Sequence, residues 1–100
     1  PYRDNPRVNV MRARQYCKFA VSKGRIPIAP HLYFPQFMSE EMERERVMQM
    51  NFELLKLCGE LWVFGDKITK GMEAEIAHAV RLRKNIRYFT TKCEEKSVCK

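Results

Sequence analysis

Four apolar residues stand in unbroken succession at Leu61-Trp62-Val63-Phe64, and Gly65-Asp66 follow at once. A strand with one face in water alternates apolar and polar residues; a run without alternation is what a strand covered on both faces needs. Beyond the loop, Thr69 stands where an N-cap is required. Its hydroxyl can accept from the backbone N–H groups that open a helix, and Gly71, Met72, Glu73, Ala74, Glu75 and Ile76 come next. Buried strand, short loop, helix is the front half of a crossover unit. This stretch fixes the class of the chain as α/β, and ligands of open α/β sheets gather at that edge.

The flanking segments fit the same scheme. Asn5-Pro6 reads as an N-cap followed by proline in the first turn, and Val10, Ala13, Cys17, Ala20 and Val21 recur at helical spacing up to about Ser22. Gly24 is placed as the C-cap. Ile26-Pro27-Ile28-Ala29 is a short apolar run that reads as an edge strand, because Pro27 cannot donate to a ladder. Residues 30–37, bracketed by Pro30 and Pro35 and rich in aromatic side chains, read as a loop that packs under the domain or lines a pocket. Ser39, Glu40 and Glu41 open a second helix with an inner face of Val47, Met50, Leu54, Leu55 and Cys58 and an end at Gly59. Met72, Glu75, Ile76, Ala79 and Val80 form the inner face of a third helix, and Ile86, Tyr88 and Phe89 make a last strand. From Thr90 the residues are polar and read as a frayed tail.

Helix and strand thus alternate, which implies a parallel sheet with right-handed crossovers. A strand is expected ahead of Pro1, or from another chain. The expected organisation is a single domain over residues 1–90 with a polar C-terminal tail over 91–100.

Composition narrows the functional classes. One hundred residues make one domain. A mean hydropathy of -0.49 and the lack of a long apolar run exclude a transmembrane helix, so no membrane partner is expected. The net charge of +7 suits phosphates, but the basic residues lie scattered over helices with no reading motif, so nucleic acid ranks last among partners. Cysteines at 17, 58, 93 and 99 form no CxxC pair and no Cys/His ligand spacing, so no zinc site is expected, and with no P-loop or dinucleotide fingerprint no cofactor is expected either. Cys17 and Cys58 read as core thiols, Cys93 and Cys99 as exposed ones, and the pattern points to a reducing, cytoplasmic compartment.

Three side chains stand out as chemistry. Glu75 falls on an apolar helix face just past a strand end, where a carboxylate can act as a nucleophile or base, or can pair with Lys or Arg. Asp66 lies at the strand's end, where it can accept from ligand hydroxyls or simply shape a turn. Asn51 is the one polar residue among apolar neighbours on its helix face, suited to bonding a ligand, Glu75 or the backbone. His31 and His78 have no metal partner at a usable spacing, and each reads as a rim or structural residue.

The segments Pro1-Tyr2-Arg3-Asp4-Asn5, Asn9-Val10-Met11-Arg12-Ala13, Pro27-Ile28-Ala29-Pro30-His31-Leu32, Leu61-Trp62-Val63-Phe64-Gly65 and Gly71-Met72-Glu73-Ala74-Glu75-Ile76, in this order and spacing, resemble the nucleoside 2-deoxyribosyltransferase-like superfamily, nearest to its small bacterial and phage branch. The resemblance implies a flavodoxin-like or Rossmann-like parallel sheet flanked by helices, usually in a homo-oligomer. It implies N-glycosidic bond cleavage or deoxyribosyl transfer on a nucleoside or nucleotide, without a cofactor. Gly71 to Glu75 match the family's Gly-x-x-x-Glu motif, which makes Glu75 the implied nucleophile; Pro1-Tyr2 match the end of its Gly-Pro-aromatic motif, Asp66 lies near its acidic contacts, and the candidate substrate contacts are Tyr2, His31, Asn51, Asp66, Gly71 and Met72. Active members place an aspartate near the position of Asn51 to protonate the departing base. An amide cannot give and take a proton as a carboxyl can, so a non-catalytic nucleotide-binding or sensing module, a phage or bacterial accessory protein, stands as the alternative.

Overall fold

The computed structural model describes residues 6–39 and 41–97. It divides into two compact units, residues 1–43 and 44–100. The described residues form a mixed α/β protein with four α-helices and a two-stranded parallel sheet.

In the first unit, helix α1 runs over Pro6–Ser22. Its end is built by Gly24, whose φ of 77° lets the chain reverse so that Gly24 N–H reaches Val21 O at 2.9 Å and Arg25 N–H reaches Ala20 O at 3.0 Å. These paired bonds satisfy carbonyls the helix would otherwise leave open. Asn5, expected as the N-cap, lies outside the described residues.

The strand expected at Ile26–Ala29 does not form. The segment carries no strand pairing, and Ile26 is 92% and Ile28 49% exposed. Steric pressure from each proline explains the misreading: a residue ahead of proline is pushed into extended backbone whether or not a ladder exists, as Ala29 shows at φ -123°, ψ 92°. The expected aromatic loop is instead a helical turn, α2 over Pro30–Tyr33, continued by a 3₁₀ turn over Phe34–Gln36. Tyr33, Phe34 and Phe37 meet there with ring centroids 5.0 to 6.1 Å apart, and Phe34 is buried. Ser39 then ties its turn reciprocally: Met42 N–H donates to Ser39 Oγ, and Ser39 N–H donates to Glu43 Oε1. Ser39 therefore caps a turn and not a long helix.

The second unit opens with α3 over Arg44–Leu57, followed by β1 over Glu60–Phe64, α4 over Lys70–Arg81 and β2 over Asn85–Phe89. Strands β1 and β2 pair in parallel, from Glu60 opposite Asn85 to Phe64 opposite Phe89. A parallel pair cannot be joined by a hairpin, and α4 is the crossover. Its N-cap is Thr69, whose Oγ1 accepts from Met72 N–H at 3.2 Å. Its C-terminus repeats the geometry at Gly24 with Arg83 in the left-handed position, at φ 58°. Arg83 N–H donates to Val80 O, and Lys84 N–H to Ala79 O.

Leu55, Val63, Ala79 and Phe89 are the buried apolar side chains of this unit. Phe89 stacks on Phe64 at 5.0 Å and lies 4.8 Å from Trp62. Two expectations change here. Gly59 does not turn left-handed at the end of α3, which stops at Leu57 with the Lys84 ammonium on the Lys56 carbonyl. Val80 is 60% exposed, so the inner face of α4 is narrower than expected: Met72, Glu75, Ile76 and Ala79. Those four follow the three-and-four spacing of one helical stripe.

The expected frayed tail is also corrected. Residues 90–96 double back beside β2: Glu95 bridges Phe89 antiparallel, and Lys96 N–H donates to Tyr88 O at 2.8 Å. Polar composition misled because Thr90, Glu95 and Lys96 also spend their side chains on hydrogen bonds within the fold. Among the described residues no helix is long and apolar enough to cross a membrane.

Candidate functional site

Helices α3 and α4 each bring one polar group onto an otherwise apolar stripe. On α3 it is Asn51, beside Val47, Met50, Leu54 and Leu55; on α4 it is Glu75, between Met72 and Ala79. Both are half-buried, and Asn51 Nδ2 donates to Glu75 Oε2 at 3.4 Å. The bond ties the Glu75 carboxylate on α4 to the Asn51 amide on α3. The other end of the amide has no such outlet: Asn51 Oδ1 is buried with no hydrogen-bond partner among the described residues. A buried acceptor left unbonded costs about 1–3 kcal/mol, so such groups are rare unless something else completes them.

A third polar group in this unit was not legible as such. His78 reads in sequence as a rim residue. Its ring instead stacks on Phe52 of α3, with centroids 4.4 Å apart and planes 18° from parallel. Both ring nitrogens are buried without a hydrogen-bond partner among the described residues. His78 lies one turn beyond Glu75 and Phe52 directly follows Asn51 in sequence, so helical spacing carried a signal: positions 75 and 78 share a side of α4, and 51 and 52 adjoin on α3.

The remaining expected site residues are distributed unevenly. Asp66 is exposed on the loop between β1 and α4. Gly71 lies in the first turn of α4 against α3: a Cβ added there would meet Met48 Cε at 3.4 Å, an ordinary contact. The side chain facing it is thus an apolar methyl of a half-buried Met48. Met72 is half-buried, and its N–H is spent on the Thr69 cap. His31 is exposed on α2 in the first unit. Tyr2 lies outside the described residues. The structure therefore joins Asn51 to Glu75 and sets Asp66 on the loop that leads into the same helix.

The loop itself is fixed at its first residue. Gly65 is buried at φ 111°, donates its N–H to Phe89 O at 2.9 Å, and accepts from Lys96 Nζ at 2.7 Å through its carbonyl. Nearby, Arg87 makes a two-pronged bond to Glu95, with Nε and Nη2 at 2.9 and 2.8 Å from its carboxylate oxygens, and its guanidinium lies 4.9 Å over the Trp62 ring. Those hydrogen bonds hold the Glu95 carboxyl below its ordinary range. Burial pushes the thiols of Cys17 and Cys93 up, so both favour the protonated form; Cys93 is half-buried, not the exposed thiol expected. Cys99 lies outside the described residues. Among the described residues no three His, Cys, Asp or Glu side chains gather where they could hold a metal ion.

A family model described as a domain of unknown function (DUF7768) matches residues 1–89, which ends with β2. No curated protein and no solved structure matches the chain.

Proposed function

Starting from a chain that belongs to the DUF7768 family of domains of unknown function, we propose that it binds a nucleoside or nucleotide beside Glu75 and cleaves or transfers its N-glycosidic bond. One observation carries the reading: Asn51 spends its Nδ2 on Glu75 and keeps a buried Oδ1 with no hydrogen-bond partner among the described residues. The pair thus offers a held carboxylate and an acceptor awaiting a donor, which a sugar hydroxyl or base amino group can supply. Its chemistry follows from the carboxylate. As the bond from C1′ to the base lengthens, C1′ takes on oxocarbenium character, and an anion on the opposite face stabilises it and then bonds to it. The base leaves with the bonding pair and takes a proton from solvent, since Asn51 cannot supply one. Water or a second base then attacks C1′ and frees Glu75. The same reading treats β1, α4 and β2 as part of a flavodoxin-like or Rossmann-like sheet, with Asp66 at its ligand edge and the protein acting as a homo-oligomer.

A second reading rests on that same amide. With Asn51 where a proton donor would serve the leaving base, the site can hold a nucleotide without turning it over. Base release from deoxynucleosides and their monophosphates separates the two. The catalytic reading expects release by the wild-type protein and none by Glu75→Gln. Thermal stabilisation by nucleotides without release supports the binding module. No release and no stabilisation by any nucleotide overturns both.

A further inference from the structure

We infer that residues 90–96 are a strap that holds the β1–α4 loop in place, with Lys96 as the positioning residue. The strap is shaped by its own hydrogen bonds. Thr90 N–H donates to Glu94 O at 2.8 Å, Cys93 N–H to Thr90 O at 3.0 Å, and Thr90 Oγ1 accepts from the N–H groups of Lys92 and Glu94. Cys93, at φ 63°, makes the reversal. The returning chain is anchored twice on β2, through the Glu95 carboxylate on Arg87 and through Lys96 N–H on Tyr88 O. Arg87 is itself braced, its guanidinium lying over the rings of both Trp62 and Phe89.

From that anchored position Lys96 crosses to the end of β1 and donates to Gly65 O in a part-buried bond. Gly65 is thereby held from both sides, by β2 through its N–H and by the strap through its carbonyl. The next residue is Asp66, and Thr69, the cap of α4, lies three further on. An ammonium on a partly buried carbonyl is a charge-assisted bond, about twice as strong as a neutral one. The contact therefore sets how readily the loop departs from the sheet. It bears on the proposed site through Asp66 and the start of α4, yet it stands whatever that site binds.

The test uses the whole chain without ligand. Lys96→Met keeps the aliphatic stem and removes the ammonium. We expect Gly65 amide exchange and tryptic cleavage after Lys67 to accelerate about tenfold, while the amides of α3 and of the β1–β2 ladder stay within about twofold of wild type. Lys96→Arg, which keeps a cationic donor, should stay near wild type. Unchanged exchange and cleavage in Lys96→Met overturn the inference, as does an equal rise through β1, β2 and α4, the mark of general destabilisation. Should Lys96→Met fail to fold, Glu95→Gln releases the strap at its other anchor, and the same local acceleration is required of it. Base release by the wild-type protein is a separate measurement, so loss of the catalytic reading leaves this outcome legible.

Discussion

Asn51 and Glu75 meet across the α3–α4 interface through a single 3.4 Å hydrogen bond between an amide and a carboxylate. The contact joins residues far apart in the chain, and it depends on position 51 being a donor.

Replacing that donor by an acid reverses the sign of the interaction. In Asn51→Asp two carboxyl groups share the place, and each raises the pKa of the other. A carboxyl whose pKa is raised by folding stabilises the protein below its unfolded pKa and loses that contribution as pH climbs through the folded value. The variant should therefore melt lower at about pH 8 than at about pH 5, relative to wild type. A cost of about 1 kcal/mol corresponds to about 4–8 °C in a domain of this size. Thermal melts of both proteins across that range check it; parallel curves would show that the two side chains do not face each other in solution.

The bond from Arg87 lowers the pKa of Glu95, with the attraction of its charge adding and partial desolvation opposing. The sign is now the opposite one. A depressed carboxyl contributes stability above its unfolded pKa and loses it as pH falls through the folded value. Wild-type protein should thus lose melting temperature more steeply than Glu95→Gln on acidification from about pH 5 to about pH 3. Melts in a pH series measure the difference in slope. The pair is solvent-facing, so high salt should narrow the gap.

Arg83 adopts a left-handed backbone at φ 58° to close the end of α4, which glycine would do without strain. Relief of about 1 kcal/mol or more in the folded state is partly offset by the freer unfolded chain. Arg83→Gly should gain about 0.5 kcal/mol in urea unfolding at constant slope. A loss would mean that the Arg83 side chain contributes more than its backbone costs.

Phe89 is 1% exposed and packs against both Phe64 and Trp62. Phe89→Ala removes a ring that neighbours cannot replace and should cost about 3–5 kcal/mol. For a domain of ordinary stability, about 5–15 kcal/mol, that is a large share of the total. Chemical denaturation followed by Trp62 fluorescence reads the loss directly, because the indole lies next to the ring removed.

Periodicity made the second unit legible. Thr69 as a cap and Leu61–Phe64 as a strand were each carried by one local signal, although only Val63 of that run is buried where cover on both faces was expected; the α4 stripe was read one residue too wide, at Val80, and the parallel pairing followed from the helix between two strands. Residues 26–37 were not legible in this way. Prolines impose extended backbone at short range, and apolar composition alone does not distinguish an unpaired segment from a strand. The strap was missed for a different reason. Polarity in Thr90–Lys96 reads as affinity for water, whereas Lys96 and Glu95 find partners at Gly65 and Arg87, positions far back in the chain that no local pattern connects. Of the candidate site, Asn51 and Glu75 were visible as exceptions on apolar faces. The burial of His78 was not, since a histidine on a helix flank suits solvent as readily as an aromatic neighbour.

The parallel register of β1 and β2 has a kinetic consequence. Every rung, from Glu60–Asn85 to Phe64–Phe89, spans the same sequence separation. The entropy of bringing the two segments together is therefore spent on the first rung to form, and each later rung adds a contact at almost no further chain cost. Such a ladder zips as one event, with α4 folded inside the closing loop. Its amides should gain protection together in refolding and surrender it together on unfolding.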